Sequence, residues 1–188
     1  MIPLTVRSHY PLMWGVPSIR RLCRAARQMG YDRLALPDTD NLYGLWPFLK
    51  ACRREGLRPI IGAEVTDPGA GQRAVCLVEN DTGYRNLCRL LTRRHLDAVF
   101  DLGATRPTLA RGLVVLTRDA GLLEQWHGAG VCVAAALPRR PLPFGHRLCR
   151  TAKTLGVPLV ATPGSFFLTP AEARVHRLLR AIDGNTSL

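Results

Sequence analysis

Lysine is almost missing from this chain. Of its 26 basic residues only Lys50 and Lys153 are lysines; the rest are arginine. Acidic residues are also few, 14 in all, which leaves a formal charge of +12. No apolar run approaches the roughly 18 residues that a membrane-crossing helix needs. The start, Met1 to Arg7, lacks the basic-then-apolar layout of a signal peptide. A cytoplasmic protein with no membrane partner is therefore expected. Paired cysteines are absent too. Cys23, Cys52, Cys76, Cys88, Cys132 and Cys149 are scattered without a CxxC, whereas a zinc site calls for closer pairing. Several stand in apolar surroundings, as in Val75-Cys76-Leu77 and Val131-Cys132-Val133, and read as small buried hydrophobes.

The charge is not gathered into one basic run. Arg20-Arg21, Arg53-Arg54, Arg93-Arg94 and Arg139-Arg140 are spread along the chain, as solvated helix faces would place them. The surplus favours polyanionic partners and non-specific contact with DNA. No sequence-reading motif accompanies it. Hydrophobic residues make up 47% of 188, enough for a sizeable core in a single domain spanning 1–188.

Apolar spacing predicts helices over Ile19–Met29, Tyr43–Glu55, Asp81–Thr92, Gly121–His127, Phe144–Leu155 and Pro170–Ile182. Strands are predicted near Ile2–Val6, Leu34–Leu36, Pro59–Val65, Ala74–Val78, Leu113–Leu116, Val131–Ala136 and Leu159–Ala161. Thr169-Pro170-Ala171-Glu172 has the form of a capping box with proline in the first turn. About seven strands alternating with helices indicate an α/β protein with a mainly parallel sheet; periodicity does not separate an open sheet from a barrel.

The stretch Leu34-Ala35-Leu36-Pro37-Asp38-Thr39-Asp40-Asn41-Leu42-Tyr43-Gly44 reads as a buried strand end, a polar turn and a helix start. Asp38 and Asp40 would stand on the C-terminal face of the sheet, where active sites of such folds collect, and could hold a metal or act as bases. Asp40 or Asn41 could equally cap the helix. With Pro59-Ile60-Ile61-Gly62-Ala63-Glu64-Val65, Asn80-Asp81-Thr82-Gly83-Tyr84-Arg85-Asn86-Leu87 and Val160-Ala161-Thr162-Pro163-Gly164-Ser165-Phe166-Phe167-Leu168, this stretch resembles the N-terminal PHP domain (polymerase and histidinol phosphatase) of bacterial C-family DNA polymerases, the alpha subunit of DNA polymerase III and its error-prone paralogue.

The resemblance implies a distorted seven-stranded (β/α) barrel of PHP type, with a multinuclear metal site at the strand ends held mostly by histidines. Such metals activate water for attack on a phosphoester. Mapped residue by residue, the ligands have largely gone. Thr5 and Arg7 stand where the family has His-x-His, Thr39 and Arg73 stand for two further histidines, and Gly164 and Phe166 for an Asp and a His. A Cys or His position falls at Arg118 or Asp119. Asp38 and Glu64 remain as acidic remnants. None of His9, His95, His127, His146 and His176 has ligand spacing, and surface or loop placement is expected for each.

No resident cofactor is therefore expected, beyond weak Mg²⁺ or Mn²⁺ at two carboxylates. Carboxylates stripped of metal need another counter-charge, and Arg7, Arg73 or both are expected to pair with Asp38 and Glu64 in the former cleft. The alternative for the same cluster is an anion site. By resemblance the function expected is a non-catalytic module that packs on a DNA polymerase core or accessory proteins in replication or repair synthesis. The competing readings are a metal-dependent phosphoesterase or exonuclease, and a basic nucleic-acid-binding protein. Trp14, Trp46 and Trp126 are candidate contact residues or core.

Overall fold

A computed structural model describes residues 2–105, 107–139 and 145–187. Among these, six strands form one curled sheet in chain order: β1 (Arg33–Thr39), β2 (Arg58–Thr66), β3 (Arg73–Val78), β4 (Leu113–Thr117), β5 (Cys132–Leu137) and β6 (Leu159–Ala161). The helices are α1 (Ile19–Gln28), α2 (Leu45–Glu55), α3 (Asp81–Leu96), α4 (Ala120–Gly128), α5 (Gly145–Leu155) and α6 (Pro170–Asp183). Phe144, where the fifth helix was expected to open, and Arg140 lie outside the described residues.

The sheet is less parallel than expected. β3 runs antiparallel to both β2 and β4, while the other pairs are parallel. The turn between β2 and β3 explains this, because six residues allow a hairpin but not the crossover that parallel strands require. Asp67 holds that turn. Its carboxylate accepts hydrogen bonds from the backbone N–H of Gly69, Ala70 and Leu102, at 2.9, 2.9 and 2.8 Å.

The seventh expected strand, Ile2–Val6, is reduced to one bridge, Val6 to Ser165. Its segment nonetheless joins the two sides of the curl. Pro3 O accepts from Ala35 N on β1, while Thr5 O accepts from Ser165 N and Arg7 N donates to Ser165 O beyond β6. Pro3 has no N–H to give, so a regular ladder cannot run through it.

Strand alternation sorts the side chains. On the concave face, Ala35, Val75, Leu77, Leu116, Ala134 and Ala136 pack together. Leu34 and Leu36 of β1 point the other way and pack with Ile19, Leu22, Phe48 and Cys52 of α1 and α2. A larger outer cluster joins the sheet to α3, α4 and α5 through Leu87, Leu113, Leu122 and Leu148. At the last helix, Thr169 caps Glu172 N, and Glu172 Oε2 accepts from Leu168 N at 2.8 Å, one residue before the ordinary capping-box partner. No helix among the described residues is long and apolar enough to cross a membrane.

The cysteine expectation holds for Cys23, Cys52 and Cys76, which are buried, but not for Cys132. Cys132 is exposed because it opens β5 at the uncovered end of the strand. Trp126 is core and Trp46 is exposed on α2.

Candidate functional site

The parallel strands deliver their C-terminal ends to one side of the sheet, and reversed β3 delivers its first residue, Arg73, to the same side. Arg73 lies opposite Thr66 of β2. A cleft of about 470 Å³ opens there. Its walls include Thr5, Arg7, Glu64, Arg73, Gly164 and Phe166, so the structure brings together six of the positions singled out in the sequence. Arg118 and Trp14 line it as well.

Glu64 is the centre of the polar network. Arg7 Nη2 lies 2.7 Å from its Oε1, and both side chains are nearly shielded from solvent, at 7% and 13% exposure. Arg7 Nη1 donates to Pro37 O. Arg73 Nη1 lies 3.6 Å from Glu64 Oε2, and its side chain is half exposed. Thr39 Oγ1 donates to the same oxygen at 3.2 Å. Glu64 thus faces two guanidinium groups and a hydroxyl at positions where the resemblance places imidazoles. Arg118 lies on the same wall and is exposed. Partial desolvation lowers its guanidinium pKa, Glu64 opposes that shift, and Arg7 and Arg73 add to it. It donates to Thr162 O at a long 3.4 Å.

Asp38 is not brought to the cleft, which corrects the expected pairing. It lies two residues beyond Leu36 on the outward face of β1. Its carboxylate accepts from Ser8 N at 3.0 Å and from Ser8 Oγ at 2.7 Å. Among the described residues it has no ion pair, and Arg7 acts on it only through its charge. Burial raises its pKa above the ordinary carboxylate range, against the pull of the Ser8 hydrogen bonds. The folded protein therefore holds this proton to higher pH than the unfolded chain does. The stability tied to Asp38 is greatest in acid and falls as pH rises from the ordinary carboxylate range through the folded value. Asp38→Asn should remove that slope. Urea midpoints of both proteins between about pH 4 and pH 7 check it: the wild-type-minus-variant difference should become less favourable as pH rises, and a constant difference would contradict the assignment.

Asp40 also lies outside the cleft. Its carboxylate accepts from Thr66 N and Thr66 Oγ1 at 2.8 and 2.5 Å, and Arg94 pairs with it at 3.3 Å, so it ties β2 to α3. Asn41 does not cap α2; it accepts from Tyr43 N in a local turn ahead of the helix.

Phe166 closes one side of the cleft, with its ring centroid 5.1 Å from that of His176 and 5.8 Å from Trp14. His176 Nδ1 is 2.8 Å from Trp14 O. It is therefore half-buried packing, whereas His9, His95, His127 and His146 are exposed. The aromatic run at 166–167 and the Thr169 helix start were legible in the sequence, but the contact of Trp14 with them was not. Ser8 was missed as the partner of Asp38 because a serine beside a lost ligand pair carries no pattern of its own.

These donors do not fit a multinuclear metal site. Among the described residues, no group of three or more His, Cys, Asp or Glu side chains could hold a metal ion. The one acidic group facing Arg7 and Arg73 is already bound by cations, and the positions around it are Thr, Arg, Gly and Phe.

A curled six-stranded α/β sheet with a polar cleft at its strand ends is the architecture of an α/β half-barrel. The sequence matches the PHP domain over residues 3–144, and the chain belongs to that family. It is 31% identical over 150 residues to the DNA polymerase III subunit alpha of Chlamydia pneumoniae, covering 72% of this chain and 11% of that protein. It is 35% identical over 96 residues to the error-prone DNA polymerase of Anaeromyxobacter sp. strain K, covering 49% of this chain and 8% of that protein. The chain thus spans about a tenth of the length of these relatives. Among solved structures, a Bifidobacterium adolescentis protein assigned as a metal-dependent phosphoesterase matches with a TM-score of 0.60 at 12% identity, covering 94% of this chain and 96% of that one. At that identity the match shows the fold alone.

Proposed function

We propose that this protein is a metal-free, non-catalytic PHP module that docks with DNA polymerase machinery of the kind its relatives belong to, in replication or repair synthesis. The observation that carries this reading is the shielded Arg7–Glu64 pair at 2.7 Å. A guanidinium there occupies the space and neutralises the charge that a divalent cation would require, and it cannot activate water for attack on phosphorus. Asp38, the other remnant carboxylate, faces away and is bound by Ser8.

A docking role draws support from α6. Val175, Leu178 and Ile182 recur at helical spacing and are 45%, 45% and 56% exposed, an apolar stripe on a helix otherwise rich in arginine.

The test uses one purified sample and two readouts. With Mn²⁺ added, hydrolysis of bis-p-nitrophenyl phosphate should not exceed the blank. On an immobilised DNA polymerase III alpha subunit the protein should be retained, and Leu178→Asp should lose most of that retention without unfolding. Turnover that disappears in Glu64→Gln would overturn the non-catalytic reading, and retention unchanged in Leu178→Asp would overturn the docking face.

A further inference from the structure

We propose that the outward face of α2 is a platform for single-stranded nucleic acid, on which Tyr43 and Trp46 stack bases while Lys50, Arg53 and Arg54 hold phosphates. The platform lies outside the cleft and is separate from the stripe on α6.

The two sides of α2 differ sharply. Phe48, Ala51 and Cys52 are buried on one side. On the other, Trp46, Lys50 and Arg53 recur at i, i+4 and i+7, with Arg54 beside them, and all four are exposed. Tyr43 stands just ahead of the helix. Trp46 and Tyr43 are each 72% exposed, so neither ring is needed to fill the core. Among the described residues no other ring and no guanidinium group packs on either of them. Both π-faces are open.

The charge on the same face selects the partner. None of Lys50, Arg53 and Arg54 has an ion pair among the described residues. Glu55, the only acidic residue of α2, is half-buried on the opposite side. Lysine is depleted in the cores of protein interfaces, whereas aromatic rings in line with cations suit a strand that presents bases and phosphates together. A duplex keeps its base faces stacked inside, so a single strand is the form that can use Tyr43 and Trp46. The net charge of +12 steers such a polyanion toward the protein.

Beside Tyr43 lies an open hollow of about 330 Å³, with Leu42, Leu91, His95 and Leu96 on its walls. That size admits one base turned out of the strand. Asp40 also lines it, but its carboxylate is tied to Thr66 and Arg94. His95 Nε2 lies 2.6 Å from Asp40 O, which orients the imidazole.

Fluorescence anisotropy of a labelled oligothymidylate of about 20 nucleotides, titrated between about 50 and 200 mM salt, tests the proposal. The strand should bind at micromolar concentration, and more tightly than a duplex of the same length. Trp46→Ala should weaken binding by about fivefold or more with the salt slope unchanged, the loss of one stacked base. Lys50→Gln combined with Arg53→Gln should lower the slope of log affinity against log salt by about 1.4, the share of two phosphates. Arg24→Gln combined with Arg27→Gln removes the same charge from an exposed part of α1 and should leave the slope as it is. No saturable binding, equal binding of strand and duplex, or a slope lowered as much by the α1 pair would overturn the platform. Affinity unchanged in Trp46→Ala would overturn it as well, and would make the two rings a contact for another protein.

Discussion

Arg7→Ala should lower the unfolding free energy by about 3–5 kcal/mol, the cost of leaving one member of a shielded ion pair without its partner. Glu64 would then sit in the cleft with only the half-exposed Arg73 and a threonine hydroxyl. Pro37 O would lose its donor as well. Urea denaturation of both proteins at neutral pH measures the difference. The double variant Arg7→Met, Glu64→Gln separates charge from packing. Removing both charges at similar volume should recover most of the loss, because the desolvation cost of each disappears with its partner. If the double variant were no better than Arg7→Ala, the pair would be acting through shape alone.

Gly15→Ala should cost about 3 kcal/mol, for a purely steric reason. A methyl group at this position would come 1.8 Å from Ser8 O and 2.6 Å from Ser8 C. Both are backbone atoms, so no side-chain rotation relieves the overlap. Relief requires the Tyr10–Gly15 loop to lift away from the Ser8 segment, and Ser8 provides both hydrogen bonds to the Asp38 carboxylate. The destabilisation should therefore come with a changed pH dependence of the Asp38 contribution. Thermal melts of Gly15→Ala across the acid range give both quantities. Wild-type stability in this variant would mean that the loop is not packed on Ser8.

The sequence made some of this structure legible and hid the rest for definite reasons. Helices α1 to α5 follow their apolar spacing closely, because each buries one stripe in the core, whereas α6 leaves its apolar stripe largely exposed. Reversed β3 was implied by the short turn after Thr66, since chain length forbids a parallel crossover there, yet strand periodicity is blind to direction. The N-terminal segment was legible as extended chain. Its division between β1 and the residues after β6 was not, because those partners lie far along the chain.

At the site, resemblance located Arg7, Glu64, Arg73, Gly164 and Phe166 in one cleft, and the geometry agrees with that placement. Asp38 was misplaced because the motif fixes its position in the chain but not the face of the strand. Leu34 and Leu36 on the outer face settle that by alternation. Arg118 could be reached only as one of two neighbouring residues. Both line the cleft, and Asp119 also caps α4. Trp14 and His176 meet across most of the chain length, and nothing local announces that contact.

The most direct test of the account is the metal content of the purified protein after incubation with Mn²⁺, Zn²⁺ and Mg²⁺ and removal of free ions, read by mass spectrometry. A cleft in which Glu64 is already paired with Arg7 should retain less than about a tenth of an equivalent of any metal. Two or more tightly held equivalents, released together when Glu64 is replaced by Gln, would contradict the claim that guanidinium groups stand in for the cations.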